Sequence, residues 1–458
     1  MNYEWMAPAM FAGMVLILLI GFPVAFSLGA LGLGAAAVAM SMGVFPPEFL
    51  TTLPLRVFGI LSNDLLLAIP FFTLMGAILD RCGLAEDLLE GSGQLFGALP
   101  GGLAYAVIGV GALLGAVTGT VAASVIAMGV ISLPIMMRYR YDMRLATGVI
   151  AASGTITQLI PPALVLVVLA DQLGRSVGDM YVGAIGPSMV QILLFVLYVA
   201  VLSLLKPRSM PPIPKEERVA RGWPLFRRIL VGMLPSLALI FLVLGTIFFG
   251  LATPTESGAM GALGAIGLAA MRRRLTWALV WEGMESTLKL TAMAIFILIG
   301  STVFTVVFAG VDGHLWIEHM LAALPGGQTG FLVFASVFIF FAAFFLDFFE
   351  IAFIIIPLLA PVAKSLGIDL VWFGVLICVV MQTSFMHPPF GFALFYLRGI
   401  APPDVKSRDI YLGAIPWVAL QLLMAAIVIA WPMLVTAWLE KAVEVDLDNI
   451  QIMVPPRE

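Results

Sequence analysis

The chain has 458 residues, 62% of them hydrophobic and 11% charged, with a net charge of −4. Soluble domains carry about 25% charged residues, so a water-soluble globular protein is excluded. No Asp, Glu, Lys or Arg lies between Glu90 and Arg138, and the alternating pattern of a transmembrane β-barrel is missing, which leaves an all-α polytopic membrane protein.

In chain order, apolar segments fall at about 7–40 (interrupted near Pro23), 64–80, 103–137, 145–171 and 180–205. The first lacks a basic flank and a small-residue cleavage site, and reads as a retained membrane helix. The stretch 206–228 holds seven basic residues, two acidic ones and five prolines, and reads as a cytoplasmic linker rather than a folded domain. Further segments fall at about 229–250, 255–271, 287–310, 329–362, 371–398 and 410–438, followed by an acidic tail over 441–458. At about 20 residues per crossing these allow roughly ten to twelve spans. Basic residues in short loops mark the cytoplasmic side. Arg138/Arg140/Arg144, the linker, Arg272-Arg273-Arg274 and Arg398/Lys406/Arg408 can all lie there at once, which puts the exposed loop 311–319, with His314 and His319, outside together with the tail. Cys82 and Cys378 have no zinc, redox or disulfide spacing, and nothing points to nucleic acid or a cofactor.

Half the chain repeats. Ala98-Leu-Pro-Gly-Gly102 returns as Ala323-Leu-Pro-Gly-Gly327, Pro134 as Pro361, Pro161-Pro162 as Pro388-Pro389, Tyr181-Val-Gly-Ala-Ile as Tyr411-Leu-Gly-Ala-Ile, and Gly29-Ala-Leu-Gly as Gly261-Ala-Leu-Gly. The basic clusters place corresponding segments on opposite sides, so the repeats, 1–205 and 229–440, are inverted. That arrangement is typical of secondary transporters, with the binding site near the midplane.

Segment 103–137 must return to its starting side, with its turn at Thr118-Gly119-Thr120 and about 15 residues on the first arm, too few for a full crossing. It reads as a re-entrant hairpin. Its counterpart 329–362 turns at Phe345-Leu346-Asp347-Phe348-Phe349-Glu350, where Asp347 and Glu350 are costly intramembrane carboxylates that serve ions or protons, unless Asp347 simply caps the second arm. Each hairpin precedes a helix interrupted by a proline pair: Ser153-Gly154-Thr155-Ile156-Thr157-Gln158 before Pro161-Pro162, and Gln382-Thr383-Ser384-Phe385-Met386-His387 before Pro388-Pro389. Proline releases the carbonyls of the preceding turn. Freed carbonyls with hydroxyls suit sodium, and the half-helix after each break offers N–H groups to a substrate carboxylate. His387 is positioned to ligate, hydrogen-bond or titrate, or to fill a core site. Thr253-Pro-Thr-Glu256 reads as a capping box that starts a helix.

Thr253-Pro-Thr-Glu-Ser-Gly-Ala, Leu159-Ile-Pro-Pro162, Thr118-Gly-Thr and the Asp347 hairpin followed by Leu366-Gly-Ile-Asp369 together resemble the large membrane subunit of tripartite ATP-independent periplasmic (TRAP) transporters. The resemblance implies an elevator-type, sodium-driven carrier in the bacterial inner membrane. It would take an organic acid from a periplasmic substrate-binding protein and pair with a small four-helix membrane subunit. It also implies that the hairpin tips and helix breaks bind sodium and enclose substrate, here Thr118 to Thr120, Ser153 to Gln158, Phe345 to Asp347 and Gln382 to His387. The sodium ligands expected among these are Thr118, Thr120, Thr157, Phe345, Ser384 and His387. The chain departs from the family where Thr157 replaces the usual Gly, Ala163 the usual Ser, and His387 the Thr of Gly-x-x-Thr-Pro-Pro. A sodium/dicarboxylate carrier that needs no binding protein is the rival reading. An intramembrane enzyme is disfavoured because the three histidines lack metal or catalytic spacing, and a channel because a two-gate site with inverted hairpins suits alternating access better than a continuous pore.

Overall fold

The structure, a computed structural model, describes residues 3–118, 121–218, 223–322, 324–388 and 391–439. Within a bilayer every backbone polar group needs a partner inside the protein, and helices provide one locally. The described residues are accordingly helical, with no strand among them. Among the described residues, six helices are long and apolar enough to cross a membrane.

The first repeat opens with α1 (Met6–Ile20) and α2 (Val24–Ser41), separated at Gly21-Phe22-Pro23. Then follow α3 (Thr52–Leu61), α4 (Ala68–Arg81) and α5 (Leu84–Phe96). The first hairpin is α6 (Gly102–Thr118) and α7 (Val121–Arg138). The first interrupted helix is α8 (Met143–Thr155), a 3-10 turn over Ile156–Gln158, and α9 (Leu164–Leu173), followed by the 29-residue α10 (Val177–Leu205).

The second repeat has α11 (Trp223–Phe248), α12 (Pro254–Met271), α13 (Trp277–Gly310) and α14 (Gly313–Ala322). Its hairpin pairs α15 (Gly327–Ala342) with one continuous helix made of α16 (Phe348–Glu350), a π-helical turn over Ile351–Ile355, and α17 (Ile356–Ser365). Next come α18 (Leu370–Ser384), α19 (Phe392–Ile400), α20 (Ser407–Ala430) and the short α21 (Met433–Thr436).

Three readings change. α3 and α5 fall outside the apolar segments, and α14 occupies the stretch expected to be an exposed loop, so His314 and His319 sit on a helix and remain exposed. The linker ends sooner than 228, since α11 starts at Trp223. Its first part is also held against the first hairpin. Met210 accepts from the Gly101 N–H, Gly97 from the Ile213 N–H, and Ser209 from the Asp142 N–H, each at 2.8–2.9 Å. Arg138 pairs with Glu217 at 2.8 Å, and the Tyr139 hydroxyl donates to the same carboxylate at 2.7 Å. Partial burial, then that hydrogen bond and the carboxylate's charge, raise the Tyr139 pKa, so the hydroxyl remains a donor at neutral pH. Arg144 pairs with Asp409 at 3.0 Å, which brings three of the basic clusters to one face. Elsewhere, Tyr3 donates to Asp312 at 3.0 Å and fixes the N-terminal residues beside the α13–α14 turn. The capping box at α12 forms in both directions: Thr253 Oγ1 accepts from the Glu256 N–H, and Glu256 accepts from the Thr253 N–H.

The repeats interlock. α19 packs on α7 of the first hairpin, and α9 packs on α17 of the second, so each half-helix after a break rests on the hairpin of the other repeat. Close approach of the first hairpin to the first break depends on glycine. A Cβ at Gly111 would lie 2.6 Å from Ser153 Cβ, and one at Gly115 2.8 Å from Thr157 Cα, whereas one at Gly109 would meet nothing within 4 Å.

Gly115→Ala should therefore lower the melting temperature in detergent, at an overpacking cost of about 1–3 kcal/mol. Gly109→Ala, on the open face of the same helix, should raise it slightly through helix propensity. Equal melting temperatures would show that the hairpin does not depend on this contact.

Candidate functional site

The two breaks meet inside the protein, where α18 packs against both the 3-10 turn and α9. Their released carbonyls find specific partners. In the first break the Gln158 carbonyl accepts from Cys378 Sγ of α18 at 3.2 Å, and the Leu159 carbonyl accepts from Ser188 Oγ of α10 at 3.0 Å. In the second, the Phe385 carbonyl accepts from the Ala393 N–H at 3.0 Å, and the His387 carbonyl from the Gly391 N–H at 2.6 Å. These amides at the start of α19 are thus committed to the break itself. By contrast, Ala163, the N-cap of α9, places no side-chain hydrogen bond on the first turn of that half-helix.

The hydroxyls share one orientation. Thr155, Thr157, Thr383 and Ser384 each donate to the carbonyl three residues back, at 2.6–2.9 Å. A hydroxyl that has given its proton to the helix keeps its lone pairs for a ligand, and oxygen donors of this kind fit a hard cation such as sodium. Around them lie buried polar atoms without a hydrogen-bond partner: Ser153 Oγ, Gln158 Oε1, both amide atoms of Gln382, and both ring nitrogens of His387. Each such atom costs about 1–3 kcal/mol if it stays unpaired. Gly154 belongs to the same wall, where its missing Cβ leaves room for Val125 of α7.

The second hairpin reaches its break through aromatic rings. His387, 2% exposed, lies between Phe344 and Phe340, with both centroid separations at 4.2 Å; the first ring is nearly parallel to it and the second is inclined at 64°. The neighbouring Phe345 is 60% exposed and lines an apolar groove of about 240 Å³ with Met14, Leu18 and Leu346. Asp347 caps the second arm. Its Oδ1 accepts from the Glu350 N–H at 2.8 Å, and Glu350 Oε2 accepts from the Asp347 N–H at 2.8 Å.

Of the expected site residues, the structure brings together Ser153 to Gln158 and Gln382 to His387, flanked by Pro161, Pro162 and Pro388. Gly119, Thr120, Pro389 and the side chain of Thr118 lie outside the described residues. Two residues escaped the sequence reading. Gln191 of α10 and Gln421 of α20 are completely buried, and Gln421 Nε2 donates to Thr155 Oγ1 at 2.9 Å. Their equivalent positions in the Tyr181 and Tyr411 repeat were the available signal.

A family model described as "Tripartite ATP-independent periplasmic transporter, DctM component" matches residues 11–434. The chain is 29% identical over 395 residues to the C4-dicarboxylate TRAP transporter large permease protein DctM of Pseudomonas aeruginosa, a match covering 85% of this chain and 90% of that protein. It is 26% identical over 418 residues to the sialic acid TRAP transporter large permease protein SiaM of Vibrio cholerae, covering 91% and 94% respectively. The isethionate TRAP transporter permease protein DctMQ of Oleidesulfovibrio alaskensis is 28% identical over 416 residues; there the match covers 91% of this chain and 63% of the relative's length. Among solved structures, the crystal structure of the Alcanivorax borkumensis YdaH transporter matches 93% of this chain and 98% of its own, with a TM-score of 0.60 and 15% identity, a likeness of fold.

The ring clamp makes a chemical prediction. Diethyl pyrocarbonate should modify the exposed His314 and His319 and spare His387. His387→Leu should raise the melting temperature, because it removes two unbonded ring nitrogens, while His387→Thr should lower it by leaving space between the phenyl rings. Rapid modification of His387 would contradict its burial.

Proposed function

The chain belongs to the DctM component family of tripartite ATP-independent periplasmic transporters and is a large membrane subunit of that class; from that membership we propose that it carries an organic-acid anion across the bacterial inner membrane, driven by sodium. The observation that carries this reading is the convergence of two proline breaks whose buried side chains hold unpaired polar atoms. A carboxylate on the first turn of α9 would face its uncapped N–H groups and the positive end of the helix dipole. Sodium would be held among the hydroxyl oxygens of Thr157 and Ser384. It enters as a coupling ion that moves with the substrate.

In this reading a periplasmic binding protein delivers the substrate and a small four-helix membrane subunit steadies the carrier. The relatives named for C4-dicarboxylate and sialic acid support an anionic organic substrate. An elevator movement is supported by the close packing of the first hairpin onto the first break through Gly111, Gly115 and Gly154. Elements that touch backbone to backbone travel as one body.

Uptake into proteoliposomes, measured with substrate-loaded binding protein, should stop when sodium is replaced by potassium at a fixed proton gradient. Equal uptake in potassium would overturn sodium coupling, and full uptake without the binding protein would favour the self-sufficient carrier. Asp347→Asn should preserve melting, since Asn caps a helix as well as Asp, and should sharply reduce transport if the carboxylate serves the ion. Asp347→Ala should lose about 0.5–2 kcal/mol of stability as well.

A further inference from the structure

The repeat relation extends behind the breaks. The offset that carries Pro161 onto Pro388 carries Gly148 onto Val375 and Thr155 onto Gln382; the offset that carries Tyr181 onto Tyr411 carries Gly183 onto Gly413 and Gln191 onto Gln421. The contacts follow the same correspondence. A Cβ on Gly413 would lie 3.0 Å from Thr147 Oγ1, and one on Gly148 would run into Trp417 of α20, at 2.9 Å from Cδ1; one on Gly183 would lie 3.0 Å from Val371 and 3.6 Å from Val375. α20 therefore backs α8, and α10 backs α18, each long helix supporting the interrupted helix of the opposite repeat.

About two turns farther along stand polar side chains: Gln421 against Thr155, and Gln191 and Gln382 at the corresponding positions of the other helix pair. At the first crossing Gln421 Nε2 donates to Thr155 Oγ1 at 2.9 Å. Both groups also reach Met386 Sδ, at 3.8 and 3.7 Å, so Gln421 touches the first break and the second together. At the second crossing, both amide atoms of Gln191 and both of Gln382 are buried without a partner. Four unpaired atoms cost more than a methionine or leucine in the same place would. Hydrophobic packing alone does not account for them.

We propose that Gln421 is a positioning residue that ties the first break to a bracing helix of the other repeat and, through Met386, to the second break, so that a shift in one break is transmitted to its partner. This rests on the transport reading, in which the two breaks hold ligands of one cycle. In the form described, the Gln421 brace is closed on Thr155, and Gln191 and Gln382 keep their bonding groups unspent. Coupling through a shared hydrogen-bonded side chain needs no direct contact between the ligands.

Hydrogen exchange of the purified full chain tests the brace without reference to transport. Thr155→Val, a near-isosteric change in the first break, should accelerate amide exchange about tenfold or more in the second break, across residues 383–394. Gln421→Met should do the same, and the double variant should add little to either, as expected of two partners in one interaction. Changes confined to residues 150–160, or additive effects of the two single variants, would overturn the brace. Wild-type uptake with sodium replaced by potassium is run alongside. Loss of sodium dependence there with cross-break exchange intact overturns the coupling ion alone, whereas sodium-dependent uptake with no cross-break exchange overturns the brace alone.

Discussion

The constraint on which this architecture depends is the fate of backbone groups freed by proline inside an apolar protein. Where such groups are buried, the surrounding helices must supply their partners. The first break is closed by side chains from two directions, the Cys378 thiol of the opposite repeat and the Ser188 hydroxyl of its own. The second is closed by its own following half-helix, through the amides of Gly391 and Ala393. The repeats thus solve one problem in two ways; neither half-helix has a side-chain cap, but the amides of Gly391 and Ala393 at the start of α19 are bonded back to the second break.

This asymmetry gives physical content to the departures from the family pattern. With Ala163 at the N-cap, no hydroxyl competes with an incoming anion for the α9 amides. With His387 in place of Thr, the second break presents an imidazole held by two phenylalanines of the hairpin instead of a hydroxyl. The ring contributes area and shape where a hydroxyl would contribute an oxygen ligand. The second hairpin is consequently fastened to its break by aromatic contact, and the first hairpin by glycine-mediated backbone contact. Aromatic contacts reform after sliding more readily than interlocked backbones do.

The sequence made the apolar helices, both interrupted helices and the α12 capping box legible, because each carries a local signal: a run of apolar residues, a proline pair, or a Thr-x-x-Glu spacing. α3, α5 and α14 were not legible. They lie between or beside the apolar segments, and α5, with its Glu-Asp and Gly-Ser-Gly, carries no continuous apolar run and packs on α6 and α11. Within the site, residue types at the breaks could be read, but their bonding could not. The partners of Gln158 and Leu159 lie 220 and 29 residues away along the chain. Gln191 and Gln421 were overlooked because one amide in an apolar helix carries no pattern of its own. Only alignment of one repeat on the other gives it meaning.

Crossed packing also bears on how such a chain can move. If each repeat were a self-contained half, the site would open along the seam between them. Here α19 belongs in sequence to the second repeat and packs on the first hairpin, while α9 belongs to the first and packs on the second. Pulling the repeats apart would strip both hairpins from the half-helices they support and expose the buried glutamines and break residues together, an outcome far costlier than any single contact. In the elevator reading proposed above, the movements that would keep this seam closed are displacement of hairpins and breaks together against α2, α4, α11, α12 and α13, and release of one hairpin tip at a time.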